Sequence, residues 1–258
     1  MSRDHWATAL DQMANAHRPL VALDFDGTLA PFQVNPSLSR IPPAGVAALR
    51  RLVAVPELAL AVVTGRSLTD LMTVADLPVG TRLAGDHGAQ FGVIDDAGPI
   101  LEPVHLTPDQ SSLLTAVMAA LNELVGDGAW VEPKTTRAVL HTRPMASAEQ
   151  ASAKRELARQ IGAELGANVL DGKEMVELAV VKATKAQALA KLRADHRAGI
   201  VLFAGDDVTD ETVLTTLTRD DVGIKVGPGH SGATVRLADP AEMVQFLTDL
   251  ADRLDARP

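Results

Sequence analysis

Two short runs of acids stand out in the chain. Asp24 and Asp26 lie one residue apart in LVALDFDGTL, and Asp206, Asp207 and Asp210 follow Gly205 in AGDDVTDE. Carboxylates crowded into one site repel one another, and one is forced to hold its proton. A divalent cation removes that conflict. Magnesium takes carboxylate oxygens and keeps several waters, so a substrate phosphate can complete its shell. Either run alone reads equally well as a helix cap or a solvated turn, since Asp is common at helix starts. Two runs, each behind an apolar stretch, favour a shared site.

The apolar stretches are the elements that must position them. LVALD (20–24), LALAVVT (58–64), GIVLFAG (199–205) and VGIKVG (222–227) read as buried strands, with RLAGDHG (82–88) and QFGVI (90–94) as shorter ones. Helical stretches fall near 44–54, after Ser67 as N-cap, near 208–217 and over 240–255. Fully apolar strands alternating with helices predict a parallel sheet covered on both faces, an α/β core. Ligands of such sheets bind beyond the carboxyl ends of the strands, where both acidic runs lie. Thr64-Gly65-Arg66 ends another strand, and Lys185 stands near the start of a helix. The middle of the chain differs. A helix near 108–125, strands in AWVEPK (129–134) and RAVLHTRP (137–144), a helix near 147–164 and paired strands within 167–180 predict an inserted α+β module. The expected division is core 1–105, module 106–179, core 180–258.

Composition narrows the function. With no cysteine there is no disulfide, thiolate metal site or thiol nucleophile. A net charge of −9 argues against nucleic acid and offers no long-range attraction to an anionic substrate, so attraction must come locally from a metal ion or a few lysines. No apolar run approaches a membrane span, and the first residues carry no signal-peptide core, so the expectation is a soluble cytoplasmic protein.

Asp24-Phe25-Asp26-Gly27-Thr28 resembles the first motif of the haloacid dehalogenase (HAD) superfamily of phosphotransferases. Thr64, Lys185 and the 205–210 stretch resemble its second, third and fourth motifs, in order. The resemblance implies a HAD-like Rossmannoid core with an inserted C2-type cap. It implies Asp24 as nucleophile through an aspartyl-phosphate, and Asp26 as the acid that protonates the leaving group and then activates water. Extended backbone would place residues 24 and 26 on one face, and Gly27 would let the chain turn away. Thr28 supports that turn or caps a helix. Thr64 would donate to a phosphoryl oxygen, and Lys185, preferred to Lys182 by its spacing to AQALAKL, would neutralise charge. Mg²⁺ is the implied cofactor, on Asp24, Asp206 and the Asp26 carbonyl, with Asp210 in a supporting place and Asp207 able to fill either role.

Gly85-Asp86-His87-Gly88-Ala89, VEPKTTRAVLHTR, MVELA and GDDVTDE resemble the trehalose-6-phosphate phosphatase family more narrowly. That resemblance implies Glu132, Lys134, His141, Arg143 and Glu177 as substrate-binding residues of the cap, with Gly65, Arg66, His87 and Gly88 on the core side. Glu132 and Glu177 would grip the distal glucose, and Lys134 would pair with phosphate. Half of VEPKTTRAVLHTR faces solvent under any function, so each cap residue is equally well read as a plain surface position. Trp130 is read as cap packing, with sugar stacking as the alternative. His141 is read as orienting its neighbours, and His87 as shaping its loop, whose glycines predict close backbone approach. The chain departs from the family pattern at Thr142, where a tyrosine is usual, at Gln90, where an acid is common, at Ala179, where a basic residue is common, and at Ala186, where glycine is usual.

The implied reaction is hydrolysis of trehalose 6-phosphate to trehalose and phosphate, with a trehalose-phosphate synthase as functional partner. The alternatives are a phosphatase of sucrose phosphate, mannosyl-3-phosphoglycerate or another sugar phosphate, and a non-catalytic sugar-phosphate sensor.

Overall fold

Five-residue apolar runs set the central sheet. In this computed structural model, which describes residues 3–172 and 174–256, the core opens with α1 (Arg3–Ala14), β1 (Pro19–Leu23), α2 (Pro43–Val53), β2 (Ala59–Val63), α3 (Leu68–Val74), β3 (Arg82–Gly85), β4 (Gln90–Asp95) and β5 (Gly98–Leu101). The middle segment carries α4 (Pro108–Asn122), β6 (Trp130–Pro133), β7 (Arg137–His141), α5 (Ala148–Leu165), β8 (Asn168–Gly172) and β9 (Met175–Ala179). The core resumes with α6 (Lys185–His196), β10 (Ile200–Gly205), α7 (Val208–Leu214), β11 (Val222–Val226), β12 (Val235–Leu237) and α8 (Pro240–Asp255). Lys173, within the segment read as paired strands, lies outside the described residues, as do residues 1, 2, 257 and 258.

The described chain divides into two compact units. One runs to Glu102 and resumes at Ala183; the other is Pro103–Lys182. The first contains an eight-stranded sheet in the order β12-β11-β10-β1-β2-β3-β4-β5. It is parallel from β12 to β3, and the β3–β4 and β4–β5 pairs are antiparallel. Side chains alternate across each strand. Val21 and Leu23 join the cluster under α1, α2, α3 and α8. Leu20 and Ala22 join the cluster under α6 and α7. Burial on both faces explains why these strands read as unbroken apolar runs.

The second unit is a four-stranded antiparallel sheet, β6-β7-β9-β8. Ala138, Leu140, Val176 and Leu178 pack with Val117 and Leu121 of α4 and Ala158 of α5. Its other face carries the polar residues of the same strands.

Three elements escaped the sequence reading: α1, the hairpin strand β5 and the edge strand β12. Four readings ran long. The helix near 108–125 ends at Asn122, and the strand at 137–144 ends at His141. The 82–88 segment stops being a strand at Gly85, and residues 86–88 form a 3₁₀ turn with Asp86 and His87 in the left-handed region. The helix at 208 ends at Leu214. Among the described residues no helix is long and apolar enough to cross a membrane.

Candidate active site

The site starts from strand ends. Leu23 pairs with Ala204 in the β1–β10 ladder, and the Asp24 amide donates to the Ala204 carbonyl at 2.9 Å. This register delivers Asp24 and Asp206 at neighbouring carboxyl ends. The strand stops at Leu23. The amides of Leu29 and Ala30 both donate to the Phe25 carbonyl, closing a turn. The sheet strand thus ends before the second acid, and Asp26 keeps only an isolated β-bridge to Ala30. No helix begins at Thr28, so its helix-cap reading falls; it is fully buried within the turn.

Gly27 shows why the motif needs glycine. Its φ is +77°, and a Cβ there would run into the Asp206 carboxylate. Opposite them, Thr184 caps α6 with Gln187 in a capping box, which sets Lys185 at the first helical position. Lys185 Nζ is 2.7 Å from Asp24 Oδ1 and 2.7 Å from Asp210 Oδ1. Lys182 is exposed and belongs to the other unit.

Oxygens of Asp24, Asp206 and Asp210 lie within 4.8 Å of one another. Burial pushes the Asp24 carboxyl up to about 6, against the pull of Lys185. Burial, with Asp210 and Asp207 nearby, likewise raises Asp206 to about 6. Burial beside Asp24 raises Asp210 to about 8. Lys185 is held charged: Asp24 and Asp210 raise its pKa against the desolvation of a buried ammonium. One lysine facing three crowded carboxylates is a donor set that suits a hard divalent cation.

The three acids are not equivalent. Asp210 Oδ1 takes the lysine, and its Oδ2 accepts from the amides of Asp206 and Asp207 at 3.0 and 3.1 Å. Its lone pairs are largely used by the protein. The Asp206 carboxylate accepts from no donor among the described residues, and Asp24 keeps Oδ2. Asp206 and Asp24 are thus the residues with oxygen to give a metal, and Asp210 orients them. Asp207 is turned away: it caps α7, accepting from the Asp210 amide and the Thr209 hydroxyl. Burial works against its charge, yet Lys185 and these hydrogen bonds hold it down at about 2.

The remaining core residues meet at the Thr64 corner. Thr64 is buried, and its Oγ1 accepts from the Arg66 amide at 3.1 Å. The amides of His87 and Asp86 bond the carbonyls of Thr64 and Arg66, which ties the 86–88 turn to this corner. The His87 ring lies against Gly65, and Gly88 against the Thr184 carbonyl. Gln90 Oε1 accepts from the Leu68 amide at 2.8 Å, so it supports the start of α3.

Arg66 forks onto Asp26, with Nε to Oδ2 at 2.5 Å and Nη2 to Oδ1 at 2.7 Å, and Ser39 adds its hydroxyl at 2.9 Å. The structure thereby divides the DxD pair: Asp24 faces Lys185, and Asp26 faces Arg66. Sequence reasoning missed Ser39 and Lys225. Lys225 is buried on β11 and donates to the Asp206 carbonyl. A charged residue inside the apolar strand VGIKV was the available signal.

On the second unit, cross-strand partners share a face. The row Glu132–Val139–Glu177 and the row Trp130–His141–Met175 stand on the face away from α4 and α5. His141 Nε2 is 2.9 Å from Glu132 Oε2, and Lys134 Nζ is 3.7 Å from Glu132 Oε1. Trp130 stacks on the His141 ring at 4.1 Å and remains 46% exposed. Glu177 pairs with the buried Arg137, another residue sequence reasoning did not single out. Arg143 stands apart: it lies past the end of β7, half-exposed, and pairs with Glu174 at 3.0 Å. Thr142 is buried, donates to the Glu174 carbonyl and accepts from Arg155.

A largely parallel sheet with two acidic loops beyond neighbouring strand ends, and a lysine bridging them from a helix start, is a HAD-like α/β architecture. A solved structure described as a trehalose-6-phosphate phosphatase related protein matches it with a TM-score of 0.71 at 25% identity, covering 90% of this chain and 97% of that one. The chain belongs to the trehalose-phosphatase family, whose model matches residues 22–251. The trehalose-6-phosphate phosphatase of Escherichia coli K12 is 29% identical over 91% of this chain and 87% of its own length. The bifunctional trehalose-6-phosphate synthase/phosphatase of Thermoproteus tenax is 31% identical over 92% of this chain. The chain spans only 19% to 32% of the length of the curated relatives that match at 31% identity.

Proposed function

We propose that the protein is a Mg²⁺-dependent phosphoric monoester hydrolase that converts trehalose 6-phosphate to trehalose and phosphate. The observation that carries the reading is the Asp24–Lys185–Asp210 bridge beside an Asp206 carboxylate that has no donor among the described residues. Family membership supplies the substrate class.

In this reading Asp24 Oδ2 attacks phosphorus, because Oδ1 is held by Lys185. The phosphorus–oxygen bond to the sugar breaks as the aspartyl-phosphate forms. Asp26 gives a proton to the leaving sugar oxygen. It then takes one from the water that attacks the aspartyl-phosphate, which restores Asp24 and releases phosphate. Arg66 and Ser39 hold the Asp26 carboxyl in place, and Arg66 Nη1, which donates to nothing among the described residues, is left for a phosphoryl oxygen. Thr64 and Lys185 donate to the charge that develops on the phosphoryl oxygens. Asp206 and the Oδ1 of Asp24 that Lys185 also holds would bind Mg²⁺, which when bound neutralises crowded carboxylate and phosphate charge.

Glu132, Glu177 and His141 would accept and orient sugar hydroxyls, with Lys134 as a cation for the phosphate and Trp130 as an apolar wall. Arg143, paired with Glu174, sits at the edge of that group. The T. tenax relative's name joins a synthase to a phosphatase, which supports a trehalose-phosphate synthase as source of the substrate. A cytoplasmic location belongs to the same proposal.

The deciding experiment is phosphate release from trehalose 6-phosphate, glucose 6-phosphate and sucrose 6-phosphate, with Mg²⁺ and with EDTA. EDTA-sensitive release from trehalose 6-phosphate alone is expected. Equal release from all three sinks the substrate assignment, and no release from any favours a sensor.

A further inference from the structure

The helix-free face of the β6-β7-β9-β8 sheet contains one charge pair that is far less exposed than its neighbours. The Arg137 side chain is 2% exposed and the Glu177 side chain 15%. The two are not directly opposite. Arg137 pairs in register with Ala179, and Glu177 pairs with Val139. Glu177 and Ala179 are two apart on β9, so they share a face. Arg137 therefore reaches diagonally, across the cell whose other corners are Ala179 and Val139, to place its Nη1 on Glu177 Oε2. Diagonal neighbours on a sheet lie about 7–8 Å apart at Cα, within the span of an arginine.

The small side chain at 179 makes this possible. Any long residue there would share the lane that Arg137 uses. A basic residue at 179 would itself stand two positions from Glu177 on the same face. The cation beside Glu177 is thus supplied from the neighbouring strand, and the alanine is its complement.

The consequence falls on Glu177. Among the described residues no other donor reaches it, so Oε2 is held and Oε1 is open. A carboxylate fixed on one oxygen presents the other in a single direction, which suits one sugar hydroxyl and costs little ordering on binding. Removing the partner would leave a poorly exposed carboxylate without its counter-charge.

We propose that Arg137 is a positioning residue: it fixes Glu177 for a sugar hydroxyl from across the sheet, with Ala179 kept small to admit it. This rests on the reading that the cap face binds the disaccharide of trehalose 6-phosphate.

The test compares steady-state kinetics of the full chain on trehalose 6-phosphate and on p-nitrophenyl phosphate, a phosphate ester with no sugar. Arg137→Met is expected to raise KM for trehalose 6-phosphate by about ten- to a hundredfold with kcat little changed. Its kinetics on p-nitrophenyl phosphate should match the parent. The double variant Arg137→Met with Ala179→Lys moves the cation onto β9 and should recover most of the lost KM. Where Arg137→Met fails to fold, Arg137→Lys carries the same comparison with the charge retained, and a KM rise confined to the sugar substrate is again expected.

Equal losses on both substrates, or an unchanged KM in a folded variant, overturn the positioning role while leaving the phosphatase assignment standing. A parent protein that turns over p-nitrophenyl phosphate and no trehalose 6-phosphate overturns the substrate reading and this inference with it.

Discussion

The acids facing Lys185 in the core are more deeply buried than the acids of the cap, and one of them, Asp210, is held by main chain as well as by a side chain. In the core, Asp24 lies buried just past a strand end and Asp210 buried in the first turn of α7; one lysine at a helix start bridges them, and main-chain amides hold the second oxygen of Asp210. On the cap, side chains hold one another: Glu132 with His141 and Glu177 with Arg137 on the helix-free sheet face, and Glu174 with Arg143 past the strand ends. A carboxylate fixed by backbone has one place to be, so changing it is an all-or-none event. A side chain held by another side chain moves with its partner, so its loss is graded. The chemistry is accordingly rigid, and recognition is tunable by substitution.

The sharpest way to break that contrast is Asp24→Asn. It should lower phosphate release from trehalose 6-phosphate by at least about a thousandfold, with circular dichroism unchanged. Near-parental activity would remove Asp24 as nucleophile. Asp206→Asn comes next. It should lower kcat by about a hundredfold or more and raise the Mg²⁺ needed for half-maximal rate. The same rate at the same Mg²⁺ would mean that the open carboxylate beside Gly27 is not a ligand. Glu132→Gln should act on the other side of the comparison, raising KM by about tenfold while sparing kcat. A collapse of kcat with KM unchanged would make the cap face part of the chemistry.

The same division explains what was legible in the sequence. Periodicity placed Asp24, Thr64 and Asp206 at the ends of apolar strands and Lys185 near a helix start, and the resemblance of their motifs to the HAD superfamily singled them out. Glu132, His141 and Glu177 came from the family resemblance; the register of the cap strands then puts them on one face. Pairings between distant side chains could not be read. Nothing local in TGR says that Arg66 forks onto Asp26, 40 residues away. Nothing in KTTRAV says that Arg137 reaches Glu177. Asp207 misled because an acid after a strand end serves a helix cap as readily as a metal. The helix α1 and the strand β12 were missed for a further reason: at the edge of the sheet, burial falls on one side only and short apolar runs lose their contrast.

The smallest expected effect on turnover sharpens the comparison from within the core. Asp221 is buried and, unlike Asp206, has both oxygens occupied: it accepts from the Val201 amide at 2.9 Å, the Thr218 amide at 2.9 Å and hydroxyl at 2.7 Å, and Arg193 at 2.7 Å. Burial alone would raise its carboxyl, but Thr218 and Arg193 outweigh that and hold it below 3.8. A satisfied carboxylate is structural, and one with oxygens left open is functional. Asp221→Ala should therefore leave kcat and KM within about twofold while costing about 2–4 kcal/mol in urea unfolding at pH 7. Because the folded carboxyl sits below its unfolded value, its contribution is complete above the ordinary carboxylate range and is lost as pH falls through the lowered value. The gap between parent and variant should then close in acid. A gap that stays constant down to strongly acidic pH would show that the aspartate stabilises through packing rather than charge, and satisfaction of lone pairs would no longer separate Asp221 from Asp206.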